Sequence, residues 1–184
     1  MEYGAFSHKG IHRKSNEDHY YIPKDGQDGL DMIIVADGMG GHNAGDLASR
    51  IAVECVSSYL VESSASFQTP NDLMNAINQS IQDANNRIYA LSRSDMRYSG
   101  MGTTLTMAVF DEDRFHVAHI GDSRCYLLRD ESVRQVTRDH SLVQELLDNG
   151  SITRDEMEIH PKKNVITRAL GTEYRLRIDC FEET

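Results

Sequence analysis

The sequence predicts an α+β fold, helices laid on antiparallel sheet, and three observations support this. Helical periodicity is concentrated between residues 46 and 91, short strand-like segments follow between 103 and 136, and an apolar run at 31–36 enters a glycine cluster. At 184 residues the chain is long enough for one domain with a substantial core.

The run Asp31 to Ala36 reads as a strand buried on both faces that stops at a sharp turn. From Asp46 to Glu62, Leu47, Ile51, Cys55 and Tyr59, with Val56 and Leu60, recur at helical spacing behind an acidic first-turn residue. Pro70, Asn71 and Asp72 then open a second helix marked by Leu73, Ile77, Ile81, Ala84, Ile88 and Leu91, a stripe too short for a coiled coil and assigned to the core. Segments 103–110, 114–120, 123–128 and 132–136, separated by turn residues, predict an antiparallel meander. Ser141 caps a short helix that Gly150 stops, residues 153–160 read as a polar, mobile connection, and 164–184 hold at least one more strand.

Acidic residues outnumber basic ones by 29 to 19, and the Lys and Arg positions form no stripe, which argues against a nucleic-acid partner. An acidic protein repels phosphorylated ligands unless a cation or a placed arginine reverses the local field. Cys55, Cys125 and Cys180 form no zinc spacing and suit a reduced, cytoplasmic setting. No apolar run approaches the roughly 20 residues of a membrane span, and residues 1–13 lack the apolar core of a secretion signal, so no membrane is expected.

The loop Val35-Ala36-Asp37-Gly38-Met39-Gly40-Gly41-His42 sets a carboxylate at a strand end before flexible backbone. The dinucleotide fingerprint fails because Asn43 stands where its third glycine belongs. Gly40 and Gly45 have Walker spacing, but Asp46 occupies the lysine position, so the local charge favours a cation over a bare phosphate. Further carboxylates lie at Glu17-Asp18 and at Asp122, in the turn Gly121 to Arg124. Hard oxygen donors without cysteine or a histidine pair favour Mg²⁺ or Mn²⁺. Two such ions roughly 3.5 to 4 Å apart activate a water for attack on phosphorus.

Six motifs in order, Arg13 to Asp18, Val35 to Gly41, Gly102-Thr103-Thr104, Gly121 to Arg124, Asp139-His140-Ser141 and Arg168 to Gly171, resemble the protein phosphatase type 2C family, bacterial type, over about Gly10 to Gly171. The resemblance implies an α-β-β-α sandwich, two central antiparallel sheets flanked by helices, and hydrolysis of phosphoserine and phosphothreonine in proteins at a binuclear Mg²⁺ or Mn²⁺ centre. By position, Asp37 resembles the bridging metal ligand, Gly38 a carbonyl ligand, and Asp18 the holder of a cation-bound water. Glu17 lies in the shell behind it, and Asp122 resembles a ligand of an additional, weaker metal site. Arg13 resembles the residue facing the substrate phosphate, whose three oxygens suit a guanidinium fork. Residues 141–163 correspond to a variable flap. The implied partners are phosphorylated proteins and a serine/threonine kinase.

The family's later Ser-Asp-Gly and Asp-Asn ligand motifs do not occur before Thr184, so the expectation is a single catalytic domain over 1–184 lacking its C-terminal strands. Met39 holds the place where some relatives carry a histidine, and the sequence leaves open whether His42 or a water protonates the leaving oxygen. Read alone, Asp122 is also a turn residue with Arg124 as its local partner, Ser141 is a cap, and His140 a packing or supporting group. The glycine–threonine and Arg168 motifs read as structural. A catalytically silent phosphatase-like binding module is the alternative function, and a nucleotide-binding loop is disfavoured by Asp46.

Overall fold

The structure is a computed structural model that describes residues 1–23, 29–41, 44–111 and 113–184. The chain runs β1 (Asp18–Tyr21), β2 (Met32–Met39), α1 (Ala44–Ser63), α2 (Pro70–Ser94), β3 (Gly102–Thr103), β4 (Leu105–Asp111), β5 (Arg114–Ile120), β6 (Tyr126–Arg129), β7 (Ser132–Gln135), α3 (Leu142–Asp148), α4 (Arg154–Ile159) and β8 (Asp179–Glu183). Strands β1-β2-β4-β5-β8, with β3 paired to β2, form a six-stranded antiparallel sheet, and β6-β7 form a separate hairpin.

Small residues let α1 lie close on the sheet. Its buried face is Ala44, Ala48, Ala52, Val56 and Leu60, spaced four apart. Leu47, Cys55 and Tyr59, expected on that stripe, are only partly buried at its flank. Pro70 stands in the first turn of α2, where its missing N–H costs nothing, and Thr69 and Asp72 close a capping box. Leu73, Ile77, Ile81, Ala84 and Ile88 of α2 meet α1 and the sheet residues Met32, Ile34, Leu105, Met107, Val109 and Ile120 in one core.

The sheet's other face is covered unevenly. Ala108 and Val117 pack with Val136, Phe115, Leu127 and Phe181 beneath the β6-β7 hairpin. Ile33 of β2 joins that cluster, whereas Tyr20 and Val35 lie outside it, 44% and 45% exposed beside residues 4–8. Burial in β2 therefore alternates, which corrects the expectation of a strand buried on both faces.

The predicted meander also breaks. Gly121, at φ 107°, turns the chain out of the sheet, and a Cβ there would stand 2.5 Å from Thr104 Cγ2. Strand β6 crosses onto the sheet face, and β8 takes the edge beside β5 with His119 opposite Asp179. Residues 154–159, expected as a mobile connection, form α4. A capping box nucleates it: Glu156 N donates to Thr153 Oγ1 at 3.3 Å and Thr153 N donates to Glu156 Oε2 at 2.7 Å. The three cysteines are free thiols, and no helix of the described residues is long and apolar enough to cross a membrane.

Candidate active site

Strand register brings the first two carboxylates together. Asp18 of β1 lies directly opposite Asp37 of β2, and cross-strand partners share a face. That face is the one turned away from α1, where Asp18, Tyr20, Val35, Asp37, Ser123 and residues 4–8 line a cleft of about 620 Å³. Arg13, in the turn preceding β1, places Nη1 3.7 Å from Asp37 Oδ1. With side chains 60% and 47% exposed, this pair contributes little to stability, and the guanidinium stays available to a ligand.

Burial pushes the Asp37 carboxyl up from its ordinary range, the Asp18 charge pushes it further, and Arg13 pulls it back in part. The backbone of Asp37 is clamped: its N–H donates to Thr104 Oγ1 at 2.9 Å, and its carbonyl accepts from Thr104 N and Thr103 Oγ1, both at 3.0 Å. The glycine–threonine motif read as structural thus holds Asp37 directly.

Glu17 points the other way, toward the start of α1. Its carbonyl accepts from Gly38 N at 3.0 Å and from Ser49 Oγ at 2.6 Å, and an added Cβ on Gly45 would sit 2.3 Å from Glu17 Oε2. Gly38 is confined as tightly, since a Cβ there would stand 2.0 Å from the Gly45 carbonyl oxygen. These two glycines let β2 and α1 touch backbone to backbone beneath Asp37. His42 lies outside the described residues.

Asp122 belongs to the same electrostatic field but faces a neighbouring cleft. Burial raises its carboxyl first, Asp37 and Asp139 raise it further, and Arg124 opposes them. The second cleft, about 660 Å³, is lined by Asp122, Arg124, Asp139 and, from α3 and α4, Gln144, Arg154 and Glu158. Arg124 is not the local partner of Asp122. Its guanidinium forks onto buried Asp139 at 2.6 to 3.0 Å, a shorter and better aligned contact than a turn neighbour offers.

His140 is buried and braces the Asp122 turn. Its N–H donates to the Gly121 carbonyl at 2.7 Å, and its ring Nδ1 accepts from Gly121 N at 3.1 Å, which leaves Nε2–H for Asp179 Oδ2 at 3.2 Å. Desolvation pushes the imidazole down, so it stays neutral. Ser141 Oγ accepts from Gln144 N as a helix cap, so the Asp139-His140-Ser141 run forms no triad.

The structure therefore gathers Arg13, Asp18 and Asp37, sets Gly38 beneath them, and holds Asp122 one turn away. Among the described residues no three His, Cys, Asp or Glu side chains approach closely enough to cage a cation unaided. The donors nonetheless fit a hard divalent ion: burial first and the Asp18 charge second lift Asp37, and a cation beside these two carboxylates would favour their charged forms. Thr104, Ser123, Asp139 and Asp179 were missed as parts of the site. Thr104, Ser123 and Asp139 each stand in one of the six motifs and Asp179 in none, while the contacts that tie all four to the site are distant in sequence.

Residues 9–165 match the family profile described as protein phosphatase 2C. The chain is 42% identical over 173 residues to the serine/threonine phosphatase stp of Listeria monocytogenes, covering 94% of this chain and 68% of that protein. Its structure resembles the S. agalactiae serine/threonine phosphatase, with a TM-score of 0.89 and 35% identity over 97% of this chain and 72% of that one. It likewise resembles the catalytic domain of the serine/threonine phosphatase PstP in complex with two manganese ions, with a TM-score of 0.80 and 34% identity over 100% and 73% of the two chains.

Proposed function

Because this chain belongs to the protein phosphatase 2C family and is a protein serine/threonine phosphatase, we propose that it hydrolyses phosphoserine and phosphothreonine with a pair of Mg²⁺ or Mn²⁺ ions held at Asp18, Asp37 and Gly38. The observation that carries this reading is the cross-strand placement of Asp18 against Asp37 on the open sheet face beside Arg13. Asp122 contributes to an additional cation position, and Glu17 belongs to the supporting shell. When bound, the ions polarise the phosphoryl group and lower the pKa of a water.

The chain's own residues then divide the work. Arg13 engages the phosphoryl oxygens with its planar fork and keeps them over Asp37. A bare phosphate could not settle there. Like charges 4 Å apart cost about 4 kcal/mol at an effective dielectric of 20, and Asp18 and Asp37 both face the cleft. The acidic pair thus makes phosphate binding conditional on the cations. The Thr103 and Thr104 clamp keeps the Asp37 backbone from moving as charge builds up.

Residues 141–163, which carry α3 and α4, wall the cleft beside Asp122, and we assign them to contact with the protein substrate. The substrates are phosphorylated proteins, with a serine/threonine kinase as the opposing enzyme. The three free thiols suit a cytoplasmic location. The test is release of phosphate from a phosphoserine peptide with and without Mn²⁺, for the wild type and Asp37→Asn. At least about a 100-fold loss in the variant is expected, and wild-type turnover by Asp37→Asn would refute the assignment.

A further inference from the structure

We propose that the Ser123 hydroxyl is a further phosphate-binding group of this site, donating its hydrogen to an oxygen of the substrate's phosphoryl group, an inference that rests on the active site proposed above. The argument is an accounting of hydrogens along a chain of three groups. The Asp37 N–H donates to Thr104 Oγ1 at 2.9 Å, so Thr104 is already an acceptor. Thr104 Oγ1 lies 2.8 Å from Ser123 Oγ. Thr104 is 1% exposed, and were Ser123 the donor here, the Thr104 hydrogen would be buried with no acceptor among the described residues. Thr104 therefore donates to Ser123, and the Ser123 hydrogen is left over.

That hydrogen has a defined place to go. Ser123 lines the same cleft as Asp18 and Asp37, and it is half-buried, open to a ligand. Its side chain is held by Thr104, while the Thr106 hydroxyl, 3.2 Å from the Ser123 carbonyl, gives its one hydrogen to His119 Nδ1 at 2.8 Å. Each hydroxyl in the row is polarised by the donor behind it, starting from a backbone amide. The cleft's carboxylates can only accept, whereas a phosphoryl dianion needs donors. Ser123 and Arg13 supply them from different elements.

The experiment uses the Mn²⁺-loaded protein with a phosphoserine peptide, inorganic phosphate as competitor, and direct Mn²⁺ titration by calorimetry. Ser123→Ala is expected to raise both KM and the inhibition constant of inorganic phosphate about tenfold, equivalent to about 1.4 kcal/mol, with Mn²⁺ affinity unchanged. Thr104→Val should move phosphate affinity in the same direction, and Thr104→Ser should restore it while thermal unfolding reports that each variant is folded. Unchanged phosphate affinity in Ser123→Ala overturns the proposal. So does a drop in Mn²⁺ affinity that accounts for the whole effect, because Ser123 would then serve the cation. If Asp37→Asn is inert while Ser123→Ala binds phosphate normally, only this inference fails; if Asp37→Asn hydrolyses as the wild type does, the site itself fails.

Discussion

Replacing Gly38 with alanine tests whether the candidate site depends on backbone contact between β2 and α1. The added methyl would lie 2.0 Å from the Gly45 carbonyl oxygen, 2.3 Å from its carbonyl carbon and 2.8 Å from the Glu17 carbonyl oxygen, where ordinary contact begins near 3.4 Å. All three neighbours are backbone atoms, so no rotamer change relieves the clash. Strand and helix must separate by more than 1 Å, and gaps of that size forfeit roughly a quarter to a half of each dispersion contact across them. The face concerned is Ala44, Ala48 and Ala52 against β2, all fully buried. Overpacking typically costs about 1 to 3 kcal/mol, and the rigid surroundings place this case at the upper end. A loss of about 3 kcal/mol corresponds to a fall in Tm of roughly 6 to 12 °C for a chain of this size. Urea unfolding of wild type and Gly38→Ala measures it. A change below about 0.5 kcal/mol, within the range of ordinary surface substitutions, would show that the β2–α1 approach is looser than described and refute the reasoning.

Two more outcomes follow from the same geometry. Arg13→Ala should lower kcat/KM about 10- to 100-fold, the range for losing a charge-assisted hydrogen bond, and Arg13→Lys should recover only part because an ammonium cannot fork; full recovery by lysine in steady-state assays would contradict the role given to the guanidinium. His119 is held neutral, its pKa lowered to about 4 by burial first and by His140 second, while Nε2–H donates to the Arg138 carbonyl at 3.1 Å. The unfolded chain binds the extra proton between the ordinary value of 6.5 and about 4, so stability present above pH 6.5 should be lost as pH falls through that window, by up to about 3 kcal/mol. Urea midpoints measured across the window would show no such slope if His119 were exposed on the timescale of titration.

Much of the fold is legible in local pattern. Strand β5 follows its expected segment from Arg114 to Ile120, and α2 follows its stripe and its Pro70 signal. The capping box at Thr153 and Glu156 was present in the sequence too, and reading it would have turned the expected mobile connection into α4. Other elements resisted for a physical reason. Whether the far side of β2 is covered depends on where the β6-β7 hairpin lands, and no feature of residues 32–39 encodes that. The strand replacing β6 beside β5 comes from residues 179–183, roughly sixty positions downstream, so the break in the meander is invisible locally.

The sequence by itself determined the family, the identity of the acidic turns and the guanidinium that accompanies them, because these rest on residue types at short spacings. Tertiary structure alone decided that Asp18 stands opposite Asp37, that Asp122 turns toward a second cleft, that Arg124 pairs with Asp139, and that Thr104 ties Asp37 to Ser123. Each of those relations depends on strand register and on the hand of the turn at Gly121, which are set by packing across the sheet rather than by any neighbour in the chain.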